Sequence, residues 1–137
     1  MYPIREDFEE DINKQTLYVV YEETELVALY VISAECDDAY KNGTWKYQDD
    51  KAYILHRFCV NPNYQNKGIG KSVLEHIENQ IREMGYESIR LDAFTENPFS
   101  QKLYRHNGYE VRGFAEWRKG RFDLMEKNVV TAMETTG

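Results

Sequence analysis

The sequence is poor in the residues that mark several common protein classes. Among its 137 residues it has two cysteines, Cys36 and Cys59, and no C-x-x-C spacing. His56, His76 and His106 share no close metal-ligand spacing with them, which argues against a structural zinc; no metal is expected. Two free thiols fit a reducing cytoplasm, the expected localisation. Positive charge is in the minority, with 17 Lys and Arg against 24 Asp and Glu and a net charge of −7. A nucleic-acid or anionic-membrane partner would need basic surface, so neither is expected, whereas a cationic small molecule such as an amine is compatible. No apolar run approaches membrane-spanning length, and the opening MYPIREDFEED lacks the basic and apolar regions of a signal peptide. Internal repeats and low-complexity linkers are absent too. What remains is a length and an apolar fraction of 42% suited to one globular domain over residues 1–137, with a peripheral tail after residue 128.

The elements follow from periodicity. Residues 3–13 place Ile4, Phe8 and Ile12 on one stripe of a short acidic helix. Residues 16–21 and 26–34 read as two strands of a hairpin. Residues 37–51 are polar and predict a loop, in which Trp45 and Tyr47 stand out. AYILHRFCV, residues 52–60, is the most strand-like stretch and stops at Asn61-Pro62. A glycine turn then opens a helix to about Met84, with Ile69, Val73, Leu74, Ile77 and Ile81 at helical spacing and Gly85 as its cap. A strand at 88–94, a helix at 99–106 ended by Asn107-Gly108, and strands at 109–117 and 121–126 complete the pattern. Strand, helix, strand between residues 52 and 94 is a βαβ unit, so those strands should be parallel. The expected class is α/β (α+β mixed): a single mixed, largely antiparallel sheet with a central parallel βαβ unit and helices on both faces.

The chemistry concentrates in Gln65-Asn66-Lys67-Gly68-Ile69-Gly70-Lys71-Ser72, between a strand and a helix. Glycines at 68 and 70 remove Cβ atoms that would block close backbone approach. The helix start offers unpaired N–H groups and the positive end of its dipole, a setting for phosphate or pyrophosphate. A glycine turn before a helix also occurs for plain steric reasons. A Walker loop would need glycine at position 65, where Gln65 stands; the dinucleotide fingerprint would need it at 73, where Val73 stands. What does match is Q/R-x-x-G-x-G/A, as Gln65-Asn66-Lys67-Gly68-Ile69-Gly70. Phe58-Cys59-Val60-Asn61-Pro62 precedes it. The strand Ile89-Arg90-Leu91-Asp92-Ala93, then Asn97, then Leu103-Tyr104-Arg105-His106-Asn107-Gly108-Tyr109 follow. In this order, over about residues 52 to 110, the sequence resembles the GNAT superfamily of acyl-CoA-dependent N-acyltransferases.

That resemblance implies an acetyltransferase with acetyl-CoA as co-substrate, bound where two parallel strands splay apart. The pyrophosphate would rest on the backbone from Gln65 to Ser72. The pantetheine arm would run beside Phe58, Cys59 and Val60 as an added strand and meet Asn97. A backbone N–H near Cys59 or Val60 would stabilise the oxyanion. The implied reaction is direct attack of a primary amine, of a small molecule or a peptide, on the thioester. Tyr104 matches the tyrosine whose hydroxyl faces the CoA sulfur; read without the resemblance it is an amphipathic core residue. Some members place a glutamate on the strand before the loop, but residues 52–60 hold no carboxylate. His56 or a water relay is left as the base. Asp92 is a further candidate, read first as a solvated or hydrogen-bonded carboxylate at a strand end. Asn97 also reads as a cap before Pro98, and Cys59 as packing. Trp45, Tyr47 and Trp117 are candidates for the acceptor wall. Family members carry a strand and a helix ahead of the segment matched to residues 3–13, where this chain has Met1 and Tyr2. Either the chain is shortened at the N-terminus or another part of it fills the gap; missing elements would expose an edge strand and favour a homodimer. The reading from another class is a non-catalytic acyl-CoA-binding or regulatory module that keeps the loop without turnover.

Overall fold

The computed structural model describes residues 17–65 and 68–130. The helix expected at 3–13 lies outside them, as do Asn66 and Lys67 of the glycine turn. The strands are β1 (Leu17–Glu22), β2 (Glu25–Ser33), β3 (Ala52–Val60), β4 (Ser88–Phe94), β5 (Glu110–Trp117) and β6 (Gly120–Asn128). Helix α1 (Ile69–Glu83) joins β3 to β4, and α2 (Pro98–His106) follows β4. The polar stretch before β3 carries two 3-10 turns, Asp38–Asn42 and Asp49–Lys51, where a plain loop was expected. No helix among the described residues is long and apolar enough to cross a membrane.

Local sequence explains most of these limits. Val73, Leu74, Ile77 and Ile81 form the buried face of α1, one stripe at helical spacing. The helix ends where Gly85 adopts φ 97°. Its N–H bonds to Arg82 O at 3.0 Å and that of Tyr86 to Ile81 O at 3.3 Å, which satisfies the last carbonyls. β3 stops at Asn61, whose side chain caps the next turn by accepting from Asn63 N at 3.0 Å.

The six strands form one sheet in the order β1-β2-β3-β4-β6-β5. β3 and β4 are parallel, as the βαβ pattern requires, and the other neighbours are antiparallel. The last hairpin inserts its second strand, β6, between β4 and β5. On one face Leu55, Ile89, Leu91, Ala93 and Met125 meet Val73, Leu74, Ile77 and Ile81 of α1 and Tyr104 of α2. On the other face Tyr40, Ile54, Ala115 and Leu124 form a second cluster, with Trp45 and Trp117 against it. Both described α-helices thus share one face. The opposite face is covered by the segment between β2 and β3, whose helical parts are the short 3-10 turns.

That segment is clamped to the sheet by buried charge. Glu126, 1% exposed, accepts from Lys46 N at 2.9 Å and Tyr47 N at 3.2 Å. Its carboxylate also meets Arg112 Nε at 3.3 Å and Arg90 Nε at 3.5 Å. Arg90 in turn donates to Tyr47 O at 2.7 Å and Asp49 Oδ1 at 2.8 Å, and its guanidinium lies 4.5 Å from the Trp45 ring. The β5–β6 register shifts between Val111 and Gly113, so Arg112 is an extra, bulged residue. Its carbonyl accepts from Thr44 N at 2.7 Å. A Cβ on Gly113 would stand 2.8 Å from Asn42 O, so glycine there lets the segment cross close over β5. Burying several charges is tolerable only while each keeps its partners. Glu126→Ala should therefore cost about 3–5 kcal/mol of folding stability in urea unfolding. Asp123→Ala, which breaks the half-exposed pair with Arg105, should cost about 0–1 kcal/mol.

Candidate functional site

β3 and β4 run together and then part. Their pairing extends from Ala52↔Ser88 to Leu55↔Leu91. Against β2, Val31 pairs with Arg57 while Ile32 pairs with Leu55, which leaves His56 as an extra residue in β3. A bulge of this kind bends the strand and reverses the alternation of its side chains. Accordingly Tyr53 and Leu55 before it, and Phe58 and Val60 after it, contribute to the same core cluster. Strict alternation would have put the two pairs on opposite faces. Beyond Leu55 the side of β3 toward β4 has no strand partner among the described residues. The gap is a cleft of about 490 Å³, walled by Leu55 to Pro62 of β3 and the following turn, Asp92 to Phe94 of β4, and Asn97, Phe99, Ser100 and Tyr104 around α2. Lys119 and Phe122 of the last hairpin and residues 26–29 of β2 complete it.

Tyr104 is buried on α2, its ring edge-on to Tyr109 at 5.5 Å. Burial raises its pKa well above the ordinary phenol value, and the nearby Asp92 and Cys59 raise it further. The hydroxyl therefore stays protonated across the physiological range. Asp92 receives a hydrogen bond from Tyr40 Oη at 2.8 Å. Burial pushes its pKa from 3.8 up to about 6; the Tyr40 bond and Arg57 oppose that rise, and Asp37 adds to it. Of the two readings of this strand-end carboxylate, solvated or hydrogen-bonded, the structure shows the hydrogen-bonded one, and loss of water dominates its ionisation. His56 Nε2 lies 2.6 Å from Ser33 Oγ, at the cleft wall. Cys59 lies in the same wall, and burial raises its thiol pKa, with Arg57 acting weakly the other way. It is a protonated packing group rather than an activated nucleophile.

The glycine turn divides into steric and electrostatic parts. Gly68 stands at φ 79° as the first residue before α1, and no described side chain caps that end. Gly70 is buried, and a Cβ there would lie 3.2 Å from Phe99 Cζ and 3.6 Å from Leu103. Its missing side chain thus lets α1 approach α2, the steric reading of this glycine. Gln65 Nε2 donates to Val60 O at 3.1 Å, tying the turn to the end of β3. Lys71 and Ser72 are exposed beside half-buried Ile69; Ser72 N–H makes the first intrahelical bond, to Gly68 O at 3.1 Å, so the N–H groups without an intrahelical partner are those before it. Asn97 caps α2, accepting from Ser100 N at 3.1 Å, and borders the cleft.

The expected acceptor aromatics lie outside the cleft wall. Trp45 stacks on Tyr40 at 5.8 Å and donates Nε1–H to its carbonyl at 2.7 Å. Tyr47 serves the Glu126 clamp through its backbone. Trp117 packs edge-on to Phe122 at 5.0 Å, one residue removed from the site. Tyr40, Arg57, Lys119 and Phe122 were missed as site residues. Tyr40 sits in a polar stretch 52 positions from Asp92, and no spacing rule connects the two.

The profile of the acetyltransferase (GNAT) family matches residues 1–109. The chain is 32% identical over 98 residues to the spermine/spermidine N(1)-acetyltransferase of Bacillus subtilis (strain 168), covering 69% of this chain and 59% of that protein. It thus spans about three fifths of that relative's length. It is 29% identical over 55 residues to the ribosomal protein bS18-alanine N-acetyltransferase of Escherichia coli (strain K12), covering 40% of this chain and 37% of that one. In fold it is similar to a GNAT-family acetyltransferase from Streptococcus agalactiae 2603, with TM-score 0.79 and 20% identity over 93% of this chain and 73% of that one. It is also similar to one from Elizabethkingia anophelis solved with acetyl-CoA bound, with TM-score 0.69 and 14% identity over 93% and 84%.

The raised pKa of Asp92 has a sign in stability. Between pH 3.8 and about 6 the folded chain holds this proton more tightly than the unfolded chain does. The corresponding stability is fully present below that window and is lost as pH rises through it. Asp92→Asn has no such proton to lose. In thermal melts across the window, the variant's Tm relative to wild type should climb with pH and stand above it at neutral pH. A wild-type carboxylate that is no burden to the fold would leave the difference flat.

Proposed function

The chain belongs to the acetyltransferase (GNAT) family, and on that premise we propose that it transfers an acetyl group from acetyl-CoA to a primary amine. The observation that carries this is the parted β3–β4 cleft, with Tyr104 and Asp92 on its wall. The side of β3 at Phe58, Cys59 and Val60 that no described strand pairs with suits an extended amide-bearing arm. The uncapped start of α1 at Gly68, Ile69, Gly70, Lys71 and Ser72, after Gln65, suits a pyrophosphate. Asn97 closes the same side. The acetyl donor supplies an activated thioester; the chain's own residues supply positioning and protons.

In this reading Asp92 is the base and Tyr104 the acid. As the acceptor nitrogen bonds to the thioester carbonyl carbon, Asp92 takes the proton the nitrogen loses. As the carbon–sulfur bond breaks, Tyr104 donates its proton to the departing thiolate. The tyrosinate is a far stronger base than the Asp92 carboxylate, so the proton on Asp92 returns to Tyr104 and the pair is reset. His56, the base suggested by residue type, already engages Ser33 Oγ through Nε2, and its part is to shape the wall.

The acceptor we propose is a polycationic amine. Asp37 adds its charge to that of Asp92, and the neighbouring stretch carries Glu35 and Asp38 as well. The net charge of −7 and the name of the Bacillus subtilis relative agree with a cation. The free thiols of Cys36 and Cys59 support a reducing, cytoplasmic setting.

The test is release of CoA thiol from acetyl-CoA with spermine, spermidine and an alanine-terminated peptide, alongside thermal shift with acetyl-CoA. Spermine or spermidine should be the better acceptor. Tyr104→Phe and Asp92→Asn should each lower kcat by about 10²-fold or more. The kcat/KM profile should rise with pH through about 6, where Asp92 loses its proton. Stabilisation by acetyl-CoA without thiol release on any amine would favour a binding module instead.

A further inference from the structure

The segment between β2 and β3 covers the face of the sheet opposite the α-helices, and from there it supplies a polar partner to Asp92 on the cleft wall. Tyr40 is buried, 4% exposed, and its hydroxyl donates to Asp92 Oδ2 at 2.8 Å. The ring is fixed from several directions. Trp45 stacks on it and holds its carbonyl at 2.7 Å. Arg90, two residues before Asp92 and on the same face of β4, lies against Trp45 at 4.5 Å. Glu126 clamps the backbone of Lys46 and Tyr47 just beyond. The 3-10 turn that carries Tyr40 is itself capped, with Asp37 accepting from Ala39 N at 2.8 Å. A closed circuit therefore runs from β4 through Arg90, Trp45 and Tyr40 back to β4 at Asp92.

A carboxylate at the edge of a cleft has two oxygens and free rotation about its terminal bond. Occupying Oδ2 from behind fixes the plane of the group and leaves Oδ1 for a proton from the cleft. We propose that Tyr40 is the positioning residue for the base of this enzyme, holding the Asp92 carboxylate in the orientation that receives the acceptor's proton. This rests on Asp92 being the base, as set out above.

The groups facing Asp92 come from every element around it. Asp37 and Tyr40 come from the covering segment, Arg57 from β3, and Tyr104 from α2; His56 and Lys119 share its cleft. Among the groups that favour the ionised carboxylate, the Tyr40 bond has the larger influence and Arg57 the smaller. Removing that bond should move the ionisation of Asp92 upward, by roughly one pH unit.

Tyr40→Phe keeps the stacked ring and loses only the hydroxyl. Two measurements on the full chain separate its role from that of Asp92. Carbon-13 NMR titration of the aspartate carboxyls, with Asp92 assigned by its disappearance in Asp92→Asn, reads the ionisation without any turnover. Thiol release with acetyl-CoA and spermine across the same pH range reads its consequence. In Tyr40→Phe the Asp92 midpoint should rise by roughly one unit, and the acid limb of kcat/KM should follow it. Below that limb kcat should fall roughly tenfold, with KM for acetyl-CoA unchanged. An unshifted midpoint beside an inactive Asp92→Asn would overturn the role of Tyr40 alone. Full activity of Asp92→Asn would instead overturn the assignment of the base.

Discussion

Parallel strands are held by evenly spaced, slanted hydrogen bonds, and one surplus residue in either strand puts everything after it out of phase. In this protein the surplus residue is His56, opposite the Val31–Ile32 step of β2. β2 absorbs the disturbance and continues to pair with β3 as far as Ala28↔Val60, whereas the pairing with β4 ends at Leu55↔Leu91. The cleft is what remains. Its walls need no special loop to hold them apart, because one is kept by β2 and the other by β6. The same phase change keeps Phe58 and Val60 in the core and so lets the free end of β3 stay a strand without a partner on its open side.

The opposite face of the sheet does a second job. Its covering segment packs Tyr40 and Trp45 against the sheet and is held in addition by charge, through Glu126, Arg90 and Arg112. Such a cluster is a poor source of stability compared with a well-packed apolar one. It does hold backbone at fixed points, at Lys46, Tyr47 and Thr44, close enough that Gly113 cannot carry a Cβ unmoved. A segment so placed brings Tyr40 to Asp92 at hydrogen-bond distance. Charge pairing and the packing of Tyr40 and Trp45 together thereby link the covered face of the sheet to the cleft.

Much of this was legible from residue patterns alone. AYILHRFCV and the apolar spacing of α1 announced β3, the crossover helix and the parallel β4, because buried parallel strands and amphipathic helices leave strong local signals. The turn of Gln65 to Ser72 and the Leu103 to Tyr109 stretch pointed to the family now matched over residues 1–109. Other features left no local trace. The insertion of β6 between β4 and β5 depends on which edge a hairpin offers, and both its strands read alike. The bulge at His56 is a property of pairing, so the strand sequence looked unbroken. Whether Asp92 is solvated or hydrogen-bonded was left open by its strand-end position, because its partner Tyr40 is 52 positions away in the chain. Trp45, Tyr47 and Trp117 drew attention as large aromatics beside a site, yet they serve packing and the clamp.

The brief β3–β4 joint also has a bearing on the order in which the chain folds. Strands β1, β2 and β3 are successive antiparallel neighbours, while β4, β6 and β5 form a second antiparallel group; among the described residues the joint is the one ladder between the two. Antiparallel neighbours connected by short turns, such as β1 with β2 and β5 with β6, close quickly. Ala52 meets Ser88 only against the closure entropy of the whole crossover between them. The seam at which the cleft begins is thus a non-local contact, expected to close later than the hairpins on either side of it.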